Sequence, residues 1–120
     1  MLKLNKISKV FYQFKTDKSY IILEQILKLS KDNSSEMLKY IEEGIALFPA
    51  QPFIYLMKAR ALNYQKNYKI ALTTLKNGID FVIVDKMEAD FYKEMAKAYK
   101  GLGNAKEENK YQQKANKLKS

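Results

Sequence analysis

Residues 49–81 read PAQPFIYLMKARALNYQKNYKIALTTLKNGIDF, and residues 87–118 read MEADFYKEMAKAYKGLGNAKEENKYQQKANKL. Corresponding residues of the two stretches stand 37 positions apart: Tyr55 and Tyr92, Ala59 and Ala96, Leu62 and Tyr99, Asn67 and Asn104, Gly78 and Ala115. A fixed internal period of this length is typical of stacked helical or β units. A step of 34 in the other direction pairs Tyr55, Leu75 and Gly78 with Ile21, Ile41 and Gly44. The chain therefore divides into three units, at residues 18–51, 52–85 and 89–120.

Each unit reads as two helices separated by a short polar break. In the middle unit the break falls at residues 65–67. The second helix then carries an amphipathic stripe at three- and four-residue intervals, made of Tyr68, Ala71, Leu72, Leu75 and Ile79. The pattern predicts antiparallel helix pairs whose stripes face inward.

Composition agrees with a single all-α domain. The chain has 120 residues, 47% of them apolar, with only four Gly and two Pro. A chain of this size forms one core, and this mixture favours helices over strands and turns.

Residues at the expected helix ends carry start and stop signals. Pro52 suits the first turn of a helix, and Gly103 suits a left-handed stop after Leu102. Asn33, Ser34 and Ser35 before Glu36 are good caps, and Asp85 with Glu88 resembles a capping box.

The N-terminal segment predicts a helix of its own. Leu4, Ile7, Val10, Phe11 and Phe14 recur at helical spacing, so residues 1–16 should cover the open end of the stack. With two helices in each of three units, the chain is expected to hold about seven helices.

These residues together resemble the tetratricopeptide repeat family. Its unit has an aromatic residue, a small residue four later and a large apolar residue three further on, as Tyr55, Ala59 and Leu62 do. A turn, a Tyr, two small residues and a large apolar residue follow, matched in the middle unit by Asn67, Tyr68, Ala71, Leu75 and Gly78. The resemblance implies a right-handed α-solenoid. It also implies a scaffold that binds a peptide or protein partner in a concave groove.

Some positions depart from the family pattern. Gln25, Met37 and Glu108 stand where a small residue should let two helices cross closely, so looser crossings are expected there. Three extra residues fall between Gly78 and Tyr92 and predict a longer second helix or a wider joint.

The first helices of the units line the family's concave surface, so the resemblance implies a partner-binding groove. Its residues would be Phe53, Met57, Arg60, Asn63, Tyr64, Lys93, Lys97 and Lys100. Two alternatives stay open: the three lysines as a solvated helix stripe, and Phe53, Met57 and Tyr64 as packing residues. The family's clamp for chaperone C-termini would need Lys and Asn where Ile22 and Ile26 stand, so that ligand is disfavoured.

An enzyme is not expected, and neither is a metal or other cofactor. The chain has no Cys and no His, which removes thiolate chemistry, the usual general base and the commonest zinc ligands. No pair of carboxylates is spaced to converge on a cleft.

The formal net charge of +9 raises nucleic acid as a partner, but the charge lies at the two ends of the chain. Residues 1–16 and 100–120 each carry about +4, and the rest about +1. Ends of this kind more often give non-specific attraction, so binding of nucleic acid or an anionic surface is the alternative function.

Lys3, Lys6 and Lys9 interrupt the apolar N-terminus. The sequence therefore predicts no transmembrane segment and a cytoplasmic location, with an export signal ahead of Met1 left open. A third alternative is a fragment of a longer array that self-associates as a homodimer.

Overall fold

A computed structural model of the protein describes Gln25, which lies in a helix, and residues 34–119. Residues 34–119 form five α-helices and no strand: α1 (Ser34–Leu47), α2 (Pro52–Tyr64), α3 (Tyr68–Gly78), α4 (Asp85–Gly101) and α5 (Ala105–Lys119). The all-α class is thus confirmed. The predicted helix over residues 1–16 and nearly all of the first helix of unit 18–51 lie outside the described residues, so the count of seven stays a prediction.

The helices pack in chain order. Each one contacts the next, and α2 also packs directly against α4. This places the first helices of two consecutive units side by side. The core formed by α1 to α4 includes the fully buried Ile41, Ile54, Ala59, Leu75 and Phe91.

The polar breaks at the two well-matched units form the same turn. After α2, the N–H of Asn67 donates to the carbonyl oxygen of Leu62 at 2.8 Å. After α4, the N–H of Asn104 donates to the carbonyl oxygen of Tyr99 at 2.9 Å. The 37-residue offset read from the side chains is therefore present in the backbone hydrogen bonds as well.

Both turns use a left-handed residue at their second position. Gly103 has φ 76°, as its sequence position predicts, and Lys66 has φ 64° at the equivalent position. The left-handed region is open to glycine but costs a residue with a Cβ roughly 1–2 kcal/mol. The turn after α2 carries this strain and the turn after α4 does not.

Two glycines allow close approach between helices. A Cβ added to Gly78 would lie 2.6 Å from Cγ of Tyr55 and 3.2 Å from Cε2 of Phe91. A Cβ added to Gly101 would lie 2.5 Å from Cε1 of Tyr68. The Tyr68 ring, at the start of α3, therefore lies directly on the backbone at the end of α4.

Two expectations for the joint between units are settled by the structure. The extra residues do not lengthen α3, which ends at Gly78; they form a 3-10 turn, Ile79–Phe81, and an extended link over residues 82–84. Helix α4 does begin at Asp85, but the prediction that Asp85 and Glu88 form a capping box is wrong. Val84 is the cap residue, and there is no side-chain cap hydrogen bond at this helix start. Asp85 lies inside the first turn, where its negative charge interacts favourably with the helix dipole.

Candidate functional site

Six of the eight predicted groove residues line two pockets that share Lys97. The first pocket, of about 360 Å³, is lined by Arg60, Asn63, Tyr64, Tyr68, Glu94 and Lys97. The second, of about 250 Å³, is lined by Lys93, Ala96, Lys97, Lys100, Glu108 and Gln112. The structure thus brings one end of α2 and one face of α4 together into a continuous surface, here called the α2/α4 surface.

The remaining two predicted residues are not in either pocket. Met57 is only 4% exposed and belongs to the core. Phe53 is half-buried and packs against the same core. For these two residues the packing alternative describes where the side chains lie.

Repeat spacing explains why the cations converge. Arg60 and Lys97 occupy equivalent positions 37 residues apart, as do Asn63 and Lys100. Because α2 and α4 pack against each other, equivalent positions on the two helices face the same side of the molecule. On α4 itself, Lys93, Lys97 and Lys100 follow the four- and three-residue spacing of a single helix face.

Glu94 is the centre of the first pocket. Its side chain is 5% exposed, and its Oε2 lies 3.1 Å from Nζ of Lys97 and 3.5 Å from Nε of Arg60. A buried carboxylate is costly unless charged and hydrogen-bonding groups surround it. The two predicted cations supply that compensation, from two different helices.

Asn63 provides the third contact to Glu94. Its Nδ2 donates to the Glu94 backbone oxygen at 3.1 Å and to Oε1 at 3.2 Å. Both neighbours are acceptors, which fixes the orientation of the amide group. Its Oδ1 is buried and has no hydrogen-bond partner. The Asn63 side chain thereby ties the end of α2 to the middle of α4.

The two cations of the first pocket are exposed to solvent, whereas their counter-ion Glu94 is buried. The Lys97 side chain is 68% exposed and that of Arg60 is 44% exposed, whereas Glu94 is buried beneath them. Tyr64, at the end of α2, is 78% exposed beside them. What the first pocket presents to solvent is therefore cationic and aromatic.

The second pocket lies where a looser helix crossing was expected. Glu108 on α5 is the equivalent of Ala71 on α3, and Ala71 is fully buried where α3 packs. At the α4–α5 crossing the larger Glu108 lines an open pocket instead. A pocket therefore lies beside the lysines of α4, at the position where the sequence departs from the repeat pattern.

A tyrosine cluster holds α5 against α4. The Tyr111 ring stacks on Tyr99 with centroids 5.6 Å apart, and lies 5.8 Å from Tyr92. Nζ of Lys114 lies 5.1 Å from the Tyr111 centroid and 5.5 Å from that of Tyr92. These ring and cation–π contacts stabilise a helix in which Ala115 is the one fully buried residue of the described positions.

Tyr92 in this cluster has a perturbed pKa. Burial raises the pKa of its phenol above the ordinary value, and the nearby Glu88 carboxylate adds to the rise. Tyr92 OH donates a hydrogen bond to Oε2 of Glu88 at 3.2 Å. The phenol is therefore neutral at physiological pH and serves as a donor.

Glu94, Tyr68, Ala96, Glu108 and Gln112 line the pockets but were absent from the predicted groove. One signal for Glu94 was available: it stands 37 residues after Met57, so the repeat places an acid where its partner unit has a core residue. A charged residue at a core position of a repeat indicates a buried ion pair or a functional group.

Within the described residues, no helix is long and apolar enough to cross a membrane. No model of a known protein family matches the chain, and no curated protein matches it either.

Proposed function

We propose that this chain is a protein-interaction module of tetratricopeptide type, a right-handed solenoid that holds a peptide or protein partner along the α2/α4 surface. The observation that carries the proposal is the pair of pockets joined at Lys97. Most of their lining residues lie on α2 and α4, the first helices of consecutive units, which line the concave side in that family; Tyr68 of α3 and Glu108 and Gln112 of α5 complete the pockets. The proposal assigns no catalytic role to any residue.

The accessible groups of this surface are suited to binding. An exposed aromatic ring and exposed Arg are the residue types enriched at the energetic centres of protein interfaces, and here they are Tyr64 and Arg60. Their supports are rigid, because α2 and α4 are regular helices joined through Asn63 and Glu94. A preorganised surface loses little entropy when a partner binds.

The test places a photo-crosslinking amino acid at Tyr64, and as a control at Thr73, which is exposed on α3 and lines neither pocket. We expect a protein or peptide from the native lysate to crosslink at position 64 and not at position 73.

A charge-matched pair of variants sharpens this test. Arg60→Glu with Lys97→Glu should abolish the crosslink. Lys69→Glu with Lys76→Glu, two exposed positions on α3, changes the net charge equally and should preserve it. Equal loss in both variants, or recovery of nucleic acid only at low salt, would contradict the proposal and favour the basic ends of the chain.

A further inference from the structure

The α2/α4 surface carries more accessible positive than negative charge. Its pockets are lined by four cations, Arg60, Lys93, Lys97 and Lys100, and by two acids, Glu94 and Glu108. Of the two acids, Glu94 has a side chain that is only 5% exposed and so is hardly accessible to a partner. With Glu108 the one partly exposed acid, a partner therefore meets more cationic than acidic groups.

Glu94 does not engage most of the donor hydrogens of Lys97 and Arg60. One oxygen of this carboxylate faces both the Lys97 ammonium and the Arg60 guanidinium. The ammonium has three donor hydrogens and the guanidinium five, in fixed directions, so a single oxygen cannot engage them all. Both groups can reach an additional anion from the solvent side.

We propose that the partner segment is acidic, and that Glu94 is an internal counter-ion with which the partner's carboxylates compete for Lys97 and Arg60. This inference rests on the proposed function and names the chemistry of its partner. In the free protein Glu94 holds both cations in place. In the complex a partner carboxylate shares or takes over Lys97, the more exposed of the two.

The spacing of the lysines fits an extended peptide with acids at alternate positions. Lys93 and Lys97 are separated by about 6 Å along the axis of α4, because an α-helix rises 1.5 Å per residue. In an extended chain, side chains on the same side recur about every 6.6–6.8 Å. Alternate acidic residues can therefore meet successive lysines.

The same surface is less suited to single-stranded nucleic acid. Such ligands need aromatic faces on which successive bases stack, next to the cations. The first pocket offers Tyr64 and Tyr68, and the ring of Tyr68 already lies on Gly101. A carboxylate-bearing peptide requires only the cations and leaves Tyr64 for an apolar contact.

The experiment measures fluorescence anisotropy with three labelled synthetic peptides of equal length. Their alternate residues are Glu in the first, Gln in the second and Lys in the third, and a labelled oligothymidylate is the fourth probe. We expect the Glu peptide to bind, the other peptides not to bind, and the oligothymidylate to bind more weakly than the Glu peptide. Added salt should weaken the Glu complex, because exposed charges are screened.

Variants then separate Glu94 from the cations. Glu94→Gln keeps an acceptor for Asn63 but removes the competing charge, and should tighten the Glu peptide about threefold. Lys97→Gln should weaken it about three- to fivefold, and Lys69→Gln should leave it unchanged. Thermal unfolding of each variant checks that the fold is kept.

The outcomes are distinct. Weaker binding by Glu94→Gln in a folded protein, or tighter binding of the oligothymidylate than of the Glu peptide, would overturn the inference. If Glu94→Gln does not fold, two measurements still test the acidic partner. They are the affinities of the wild-type protein for the Glu and Gln peptides, and the affinity of Lys97→Gln for the Glu peptide. Equal affinity for both peptides, with the Tyr64 crosslink intact, would refute the acidic partner and leave the proposed function standing. Absence of both the crosslink and peptide binding would refute both.

Discussion

The helix pair α2/α3 and the helix pair α4/α5 have the same turn and different interiors. Four backbone hydrogen bonds of one turn recur in the other at a 37-residue offset, and the N–H of Leu102 donates one more, to the carbonyl oxygen of Tyr99. In α3, however, Ala71, Leu72 and Leu75 are buried, whereas in the described part of α5 Ala115 alone is buried and the half-buried Tyr111 stacks on Tyr99 of α4. The repeat thus preserves backbone geometry at the turns, whereas the buried side chains of the second helix differ between the two pairs.

The largest effect is expected where a core residue in one pair has a polar equivalent in the other. Leu75 is fully buried and its equivalent Gln112 is exposed. Leu75→Ala should lower the free energy of unfolding by about 2–5 kcal/mol, since it removes buried methyl groups and leaves a cavity. Gln112→Ala should change it by less than about 0.5 kcal/mol. Urea unfolding measures both, and similar values for the two would refute the asymmetry.

The next effect concerns Gly78 and its equivalent Ala115. Gly78→Ala should lower the free energy of unfolding by about 1–3 kcal/mol, because the new Cβ would overlap Tyr55, close to its backbone. Ala115 is fully buried and holds a Cβ without difficulty, so Ala115→Gly should cost about 1 kcal/mol through helix propensity and lost packing. A neutral or stabilising Gly78→Ala in urea unfolding would show that the two units do not differ at this crossing.

A smaller effect, of opposite sign in the two pairs, is expected at the turns. Lys66→Gly should raise the free energy of unfolding by about 1 kcal/mol, because it relieves a left-handed residue. Gly103→Ala should lower it by about 1 kcal/mol through backbone strain alone, since no atom lies within 4 Å of the added Cβ. Chemical denaturation of the two variants gives the comparison, and the same sign for both would contradict it.

The smallest effect is the pH dependence contributed by Tyr92. Its phenol has a raised pKa in the folded protein, so the unfolded chain ionises first as the pH rises. The contribution to stability is fully present below about pH 10, the ordinary pKa, and is lost as the pH rises through the folded pKa. Tyr92→Phe should lack this loss. The difference between wild type and variant, measured by urea unfolding from about pH 8 to about pH 11, isolates it from the titration of lysines.

Much of the architecture could be predicted from the sequence because it depends on local chemistry. Pro52 begins α2 and Gly103 has the left-handed backbone expected of it, as helix-end preferences require. The turn at residues 65–67 followed from a polar break, although Lys66 gave no sign of its positive φ. Asp85 failed as a cap because a carboxylate is also favourable one residue later, inside the first turn.

The candidate site was predictable only in part, because its organisation depends on contacts between helices. Arg60, Asn63 and Lys97, which the family resemblance assigned to one groove, line one pocket in the structure. The resemblance implied Met57 in the same groove, but the packing of neighbouring helices buries it. Glu94 was missed because its burial results from partners on two helices, and no pattern in one helix shows that a carboxylate will be surrounded.

The contact of Tyr68 with Gly101 couples the unfolding of one helix pair to that of the other. The ring closes α3 of one pair onto the last turn of α4 in the other, so melting of α4 uncovers Tyr68 and frees α3 at the same time. In arrays of helical units, strong coupling between neighbours makes them unfold in one step, and weak coupling lets them fray from the end. Amide hydrogens of α3 and α4 should therefore exchange with similar protection, as members of one foldon.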